Sequence, residues 1–206
     1  MSESIYHDGS RMLQDRFDTR RLADRLEENI VKDHIDGKDK AFIERMDMFF
    51  MATVDDQGHA NCSYKGGEPG FVKVLDEKTI AFPNYDGNGM YLSMGNLVKT
   101  RQAGLLFIDF ENQWRMRLNG EATIDVDDPL KAQWPEAQFI VRVTAREVFP
   151  NCPRYIHKMK LVERSRFVPK DQCPTPVPAW KAGAWVADVL PEDDPARRDD
   201  VEVLDR

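Results

Sequence analysis

The chain has 206 residues, of which 41% are hydrophobic and 32% are charged, a composition typical of a soluble globular protein. Its formal net charge is −7, whereas a protein that binds nucleic acid over a broad surface usually carries a basic excess. No apolar run approaches the ~20 residues that span a bilayer, and the N-terminus lacks a secretory signal pattern. We therefore expect a cytoplasmic protein with one substantial domain that binds neither nucleic acid nor a membrane.

The cysteines and histidines give no sign of a metal site. Cys62, Cys152 and Cys173 lie far apart in the sequence and form no Cys-x-x-Cys pair. The four histidines show no metal-ligand spacing either. We therefore predict neither a zinc site nor a disulfide framework.

The N-terminal part of the chain has helical periodicity. Apolar residues recur at helical spacing among many charged residues from about Arg11 to Met46. The sequence DGKD at Asp36–Asp39 marks a break, after which AFIERM resumes a short helix. We assign residues 1–40 to an N-terminal helical segment.

From Met48 onward the pattern changes to short strands that are separated by turns. The apolar run AGLLFIDF (103–110) predicts a strand that is buried on both faces, and the alternating WRMRLNGEATID (114–125) predicts its antiparallel neighbour. Few inter-strand segments are long enough to cross over, which argues against a parallel α/β sheet. We predict a mainly β fold, a six-stranded split β-barrel over residues 41–168 with one helix inserted in mid-sheet.

The end of the chain is rich in proline. Residues 169–206 contain six prolines and also Trp180 and Trp185. We predict a C-terminal arm that is extended and ends in a charged, mobile segment.

Several basic residues and one glycine-rich turn suggest an anion site. Arg115 and Arg117 share one face of a predicted strand, where they form either part of the solvated surface or an anion-binding site. Ser63 and Lys65 lie near the end of another predicted strand, and Lys and Arg are natural phosphate ligands. The turn DGNG (86–89) precedes a short apolar helix, so its backbone N–H groups could approach an anion closely.

Four ordered stretches resemble the FMN-binding split-barrel proteins related to pyridoxamine 5′-phosphate oxidase. They are MATVDDQGHANCSYKGG, TIAFPNYDGNGMYLSMGNL, AGLLFIDF and RMRLNGEATI. The stretch EVFPNCPRYIHK also resembles the end of one subgroup of this family. The resemblance covers roughly Ala41 to Val168 and leaves out the N-terminal helices and the arm.

The resemblance implies a homodimer that binds two FMN molecules at the subunit interface and acts on a small-molecule substrate. It implies that three segments of one subunit contact the cofactor and that one strand of the partner contributes two more residues. The cofactor residues implied are Ser63, Tyr64, Lys65, Phe82, Pro83, Asn84, Tyr85, Asn88, Gly89 and Met90, with Gln113 and Arg115 from the partner.

The sequence also departs from the oxidases proper. It lacks their Arg-Lys pair before the inserted helix, and the tail shows no cluster for a substrate phosphate, so the substrate is left unassigned. We predict an FMN-dependent oxidoreductase, with a non-catalytic flavin carrier or sensor, an F420-dependent reductase and a haem-binding relative as alternatives. His157 is the candidate proton donor, because a histidine can exchange protons near neutral pH, although packing is the commoner role.

Overall fold

The computed structural model describes residues 4–205 of the chain. Its α-helices are α1 (Asp8–Arg16), α2 (Arg20–Ile30), α3 (Gly37–Arg45) and α4 (Leu92–Thr100). Its strands are β1 (Met48–Val54), β2 (Ala60–Gly66), β3 (Lys73–Val74), β4 (Thr79–Asn84), β5 (Gln102–Asp109), β6 (Trp114–Asp125), β7 (Phe139–Pro150), β8 (Val177–Pro178) and β9 (Val203–Leu204). Within the described range, no helix is long and apolar enough to cross a bilayer.

Strands β1 to β7 form one antiparallel sheet in the order β2-β1-β5-β6-β7-β4-β3. Strands β1 and β4 are four places apart in this order, roughly 19 Å in a flat sheet with strands spaced by ~4.8 Å. The rings of Phe49 on β1 and Phe82 on β4 are nevertheless only 5.0 Å apart. The sheet is therefore rolled around a core in which Phe49 also contacts Phe71 and Phe107.

The predicted mainly β split-barrel fold is confirmed, with two differences of detail. The main sheet has seven strands rather than six, because the two-residue strand β3 pairs with β4. Strand β5 was expected to be buried on both faces, but its burial alternates. Leu105 and Phe107 point into the core, while Leu106 and Ile108 lie partly exposed on the outer face.

The N-terminal helical region is broken between α1 and α2 as well as before α3, where DGKD predicted a break. That sequence does mark the start of α3, where the side chain of Asp36 accepts hydrogen bonds from the backbone N–H groups of Lys38 and Asp39. The side chain of Asp39 in turn accepts from the N–H of Asp36, which completes a capping box. Helix α3 buries Phe42 and Ile43 in the core, so it belongs to the packed body of the fold.

The arm is less extended than the sequence suggests. Two short parallel strands, β8 and β9, bring residues 177–178 next to residues 203–204. Val177 and Val186 are buried, and so are the charged residues Lys181 and Asp194. The arm is therefore folded onto itself and onto the barrel.

A β-bulge in the pairing of β6 with β7 requires glycine. The register shifts between Asn119 and Gly120. A Cβ atom at Gly120 would lie 2.0 Å from the carbonyl oxygen of Thr144, which is far inside van der Waals contact with backbone. The close approach of the two strands therefore depends on the missing side chain.

We expect Gly120→Ala to destabilise the protein by at least about 1–3 kcal/mol, because the two paired backbones must move apart. Urea denaturation followed by circular dichroism measures the change. Gly95→Ala is the control, because a Cβ atom there meets no atom within 4 Å. Alanine in place of glycine in an exposed helix should raise the free energy of unfolding by as much as ~1 kcal/mol. Equal stability of Gly120→Ala and the wild type would contradict the proposed close approach.

Candidate functional site

A cavity of about 500 Å³ opens at the edge of the rolled sheet, between strand β2, the end of β4 and the start of α4. Such a volume lies within the usual range for small-molecule sites. The residues that contribute to its wall are Asn61, Ser63, Tyr64, Lys65, Gly66, Phe71, Pro83–Met94, Phe167 and Val168.

The alternation of strand β2 decides which of its side chains face this cavity. Ser63 and Lys65 lie opposite Met51 and Phe49 of β1, both of which are fully buried, so they share the inner face of the sheet. Tyr64 points to the other face, where its ring contacts Phe50, although the residue also borders the cavity. The inner face of β2 therefore offers a hydroxyl and an ammonium group.

Within the described residues, the ammonium group of Lys65 has no compensating charge. Burial lowers the pKa of Lys65, and no charged neighbour contributes to the shift. A partly buried cation that no carboxylate neutralises is electrostatically unfavourable on its own. It is therefore suited to receive an anionic ligand in the cavity.

The N-terminus of α4 faces the same cavity. Its N-cap residue, Tyr91, has left-handed backbone (φ 48°) and provides no side-chain hydrogen bond to the helix. The first backbone N–H groups of α4 are thus not capped by that side chain and carry the positive end of the helix dipole. Ser93 adds a hydroxyl that donates to the Ser63 Oγ over 3.0 Å. A helix N-terminus next to a lysine is a favourable site for a phosphate group.

The glycine-rich turn predicted at DGNG is present in the structure. Gly89 has φ 74°, and Asn88 accepts a hydrogen bond from the Met90 N–H through its side chain. Asn84, at the end of β4, donates to the side chain of Gln138 over 2.9 Å. These contacts shape the turn that leads from the sheet to α4.

Tyr85 contributes a protonated hydroxyl to the wall. Burial raises the pKa of Tyr85 to about 12, with smaller contributions from Glu68 and Glu136. The phenol therefore stays neutral at physiological pH and can act as a hydrogen-bond donor.

Within residues 4–205 no group of three or more His, Cys, Asp or Glu side chains is arranged to hold a metal ion.

The structure brings together most of the residues that the resemblance implied. The residues found in the wall are Ser63, Tyr64, Lys65, Pro83, Asn84, Tyr85, Asn88, Gly89 and Met90. The side chain of Phe82 lies in the core and does not reach the cavity.

Three further predicted residues lie away from the cavity within one chain. Gln113 donates to the carbonyl of Ile156, and Arg115 donates to Asn151 Oδ1 and to the Cys152 carbonyl. The expectation for both was a contact with the cofactor of a partner subunit, which stays a prediction. His157 is exposed and does not line the cavity.

Sequence reasoning missed several residues of the wall. Ser93 and Met94 follow the N-cap of α4, and a serine in the first turn of a helix was an available signal. Phe71, Phe167 and Val168 add apolar surface, but they come from irregular segments whose course the sequence pattern does not reveal.

The family of this chain is established by comparison with known proteins. A sequence model described as pyridoxamine 5′-phosphate oxidase matches residues 35–164. This is more than half of the chain, so the protein belongs to the pyridoxamine 5′-phosphate oxidase family, as the resemblance predicted. A search of curated proteins found no match.

Three solved structures that match this chain share little sequence with it. HupZ from Group A Streptococcus is 18% identical, with a TM-score of 0.46 over 56% of this chain and 93% of its own. An FMN-binding protein from Syntrophomonas wolfei is 16% identical, with a TM-score of 0.41 over 68% of this chain and 97% of its own. An FAD binding protein from Mycobacterium smegmatis is 13% identical, with a TM-score of 0.41 over 58% of this chain and 97% of its own.

We expect Lys65→Met to leave the melting temperature of the ligand-free protein unchanged or to raise it at pH 7, because the variant removes a partly buried charge that has no counter-charge. The pKa of Lys65 is lowered in the folded state. Between that lowered value and the ordinary ~10.4, the unfolded chain binds more protons than the folded one. The wild type should therefore gain stability relative to the variant as the pH rises through this range.

Thermal melts at several pH values measure the difference. Lys158→Met is the control, because Lys158 is exposed. A clear loss of ligand-free stability in Lys65→Met at pH 7 would show that Lys65 serves the fold rather than a ligand.

Proposed function

We propose that this chain binds FMN in the cavity beside β2 and α4 and acts as a flavin-dependent oxidoreductase. The observation that carries the proposal is the position of Lys65. Its ammonium group is partly buried, with no counter-charge among residues 4–205, in the wall of a cavity that also contains the uncapped N-terminus of α4. Membership of the pyridoxamine 5′-phosphate oxidase family and the FMN-binding relative from Syntrophomonas wolfei agree with this choice.

The phosphate of FMN fits the polar end of the cavity. Lys65 would supply a charge-assisted hydrogen bond, and the first N–H groups of α4 would add backbone donors. The hydroxyls of Ser63 and Ser93 already bond to each other over 3.0 Å and could turn toward a phosphate oxygen. A dianionic group here would also remove the cost of burying the Lys65 charge.

The remainder of the wall suits an aromatic ring system. Phe71, Met94 and Val168 provide apolar surface, and methionine adapts its shape to an irregular neighbour. The neutral hydroxyl of Tyr85 in the wall can donate a hydrogen bond to the ring system. These groups would hold and orient a flavin and keep water from part of its surface.

A bound flavin supplies hydride and single-electron chemistry, so the protein needs few reactive side chains of its own. Within residues 4–205 the cavity wall contains no histidine, cysteine or glutamate, and its one carboxylate, Asp86, is paired with Lys181. This composition favours a reaction in which the cofactor carries the chemistry and the chain provides binding and orientation. The substrate of this reaction is a small molecule.

We also propose that the protein is a homodimer that pairs through the outer face of β1 and β5. Phe50 lies opposite Leu106 on neighbouring strands, and both side chains share the outer face with Ile108. All three are only partly exposed in one chain, and a contiguous apolar sheet face of this kind usually has a partner. Arg115 lies opposite Ile108 on β6, and its buried Nε has no hydrogen-bond partner within residues 4–205.

The first prediction from this proposal concerns the phosphate. A hydrogen bond to a charged group contributes ~1.5–3 kcal/mol, so Lys65→Met should weaken FMN binding about tenfold or more. Quenching of flavin fluorescence measures the affinity, and Lys158→Met is again the matched control. Unchanged affinity in Lys65→Met would remove Lys65 from the site.

Activity is tested separately from binding. The purified protein should show flavin absorbance, and mass spectrometry of the molecule released on denaturation distinguishes FMN from F420. Anaerobic addition of NADH or NADPH should bleach the flavin bands. Bound flavin that no nicotinamide donor reduces would favour the carrier or sensor, and a Soret band would favour haem.

The second prediction concerns the dimer. Light scattering of the wild type at micromolar concentration should give the mass of two chains, and Leu106→Arg should shift it toward one, because a charge would be buried in an apolar interface. Val126→Arg is the control, since Val126 is 56% exposed in the turn after β6. A monomeric wild type would contradict the interface, and far-ultraviolet circular dichroism checks that each variant is folded.

A further inference from the structure

The loop Asp86–Tyr91 is a thin wall between two cavities. On one side it borders the proposed flavin cavity, and on the other it borders a second cavity of about 720 Å³ that is closed by the C-terminal arm. Each residue from Asp86 to Tyr91 is exposed. Apart from the Tyr91 ring, which lies 6.3 Å from the ring of Phe139, the loop therefore has little packing of its own, and its position depends on the few bonds that tether it.

One tether comes from the barrel. The side-chain oxygen of Gln138 accepts hydrogen bonds from Asn84 Nδ2 over 2.9 Å and from the Tyr91 hydroxyl over 3.1 Å. The Nε2 of Gln138 lies 3.5 Å from Asp86 Oδ1. Gln138, which borders the second cavity, thus reaches both ends of the loop.

The other tether comes from the arm. Lys181 is only 4% exposed and donates from its Nζ to Asp86 Oδ2 over 2.6 Å and to Asp194 Oδ2 over 2.8 Å. Asp86 and Lys181 are 95 positions apart in the sequence, so this bond joins the start of the loop to the far end of the chain. Burial alone would lower the pKa of Lys181, but the two carboxylates outweigh it and raise the pKa above its ordinary value.

The two carboxylates have different roles. The side chain of Asp194 is 4% exposed and lies within the arm, so its bond to Lys181 holds the fold of the arm itself. The side chain of Asp86 is 53% exposed and belongs to the loop. The bond to Asp86 can therefore be removed while Lys181 keeps a buried partner.

We propose that Lys181 is a positioning residue that fixes the Asp86–Tyr91 loop through Asp86 and so couples the docking of the arm to the binding of flavin. The coupling rests on the flavin site proposed above, whereas the tether itself does not. When the arm is docked, Lys181 holds the loop that leads into the N-terminus of α4. Because linkage is reciprocal, a ligand that orders the loop must also stabilise the docked arm.

Asp86→Asn tests this proposal with an effect of defined sign. Removal of a negative charge near a bound phosphate should strengthen FMN binding if Asp86 acts only as a local charge. Loss of the ion pair with Lys181 should weaken FMN binding, because the loop is then held less firmly and the ligand must order it. We expect FMN affinity to fall about fivefold or more, which is within the usual range of coupling between sites.

Trypsin provides a second readout that does not depend on flavin. Cleavage after Lys181 requires release of this buried side chain, and peptide mapping by mass spectrometry gives its rate. In the ligand-free protein, Asp86→Asn should be cleaved there faster than the wild type. Saturating FMN should slow this cleavage in the wild type more than in Asp86→Asn.

Asp193→Asn is the matched control, since Asp193 is an exposed acid that borders the same second cavity. It should behave as the wild type in both assays. Unchanged cleavage in ligand-free Asp86→Asn, or FMN affinity that is equal to or higher than that of the wild type, would overturn the proposal. If the wild type binds no FMN, the proposed function fails, and the rate of cleavage after Lys181 still decides whether the tether exists.

Discussion

The roll of the sheet around Phe49 is the constraint on which the other features depend. Phe49 of β1 contacts Phe71, Phe82 and Phe107, which come from distant parts of the chain. This aromatic cluster draws the two ends of an open sheet together without joining their edges. The inner face of edge strand β2 therefore meets helix α4 instead of another strand, and a cavity forms at this seam.

The chemistry of the cavity follows from that seam. A lysine on the inner face of an edge strand is partly shielded from water, and here burial lowers its pKa while no carboxylate compensates. An anion placed between Lys65 and the N-terminus of α4 would neutralise the buried charge. It would also accept hydrogen bonds from the uncapped N–H groups of the helix. The buried charge therefore destabilises the ligand-free protein, and its neutralisation by a phosphate adds to the affinity for that ligand.

Much of this structure follows from sequence patterns, and the remainder depends on contacts between distant segments. Alternation predicted β6 with its observed bounds, and the glycines of DGNG predicted the turn that precedes α4. The outer face of β5 was predicted wrongly, because a continuous apolar run does not show whether its second face is covered within the same chain. The buried Lys181 was also missed, since nothing near it in sequence reveals that Asp86, 95 positions earlier, lies beside it.

The most direct test of this account compares the affinities of FMN and riboflavin, which differ only by the phosphate. If Lys65 and the α4 N-terminus hold that group, the wild type should bind FMN at least about a hundredfold more tightly than riboflavin, a difference of roughly 2.8 kcal/mol. In Lys65→Met most of this preference should be lost, while the affinity for riboflavin stays the same. Equal affinity of the wild-type protein for the two flavins would contradict the phosphate site.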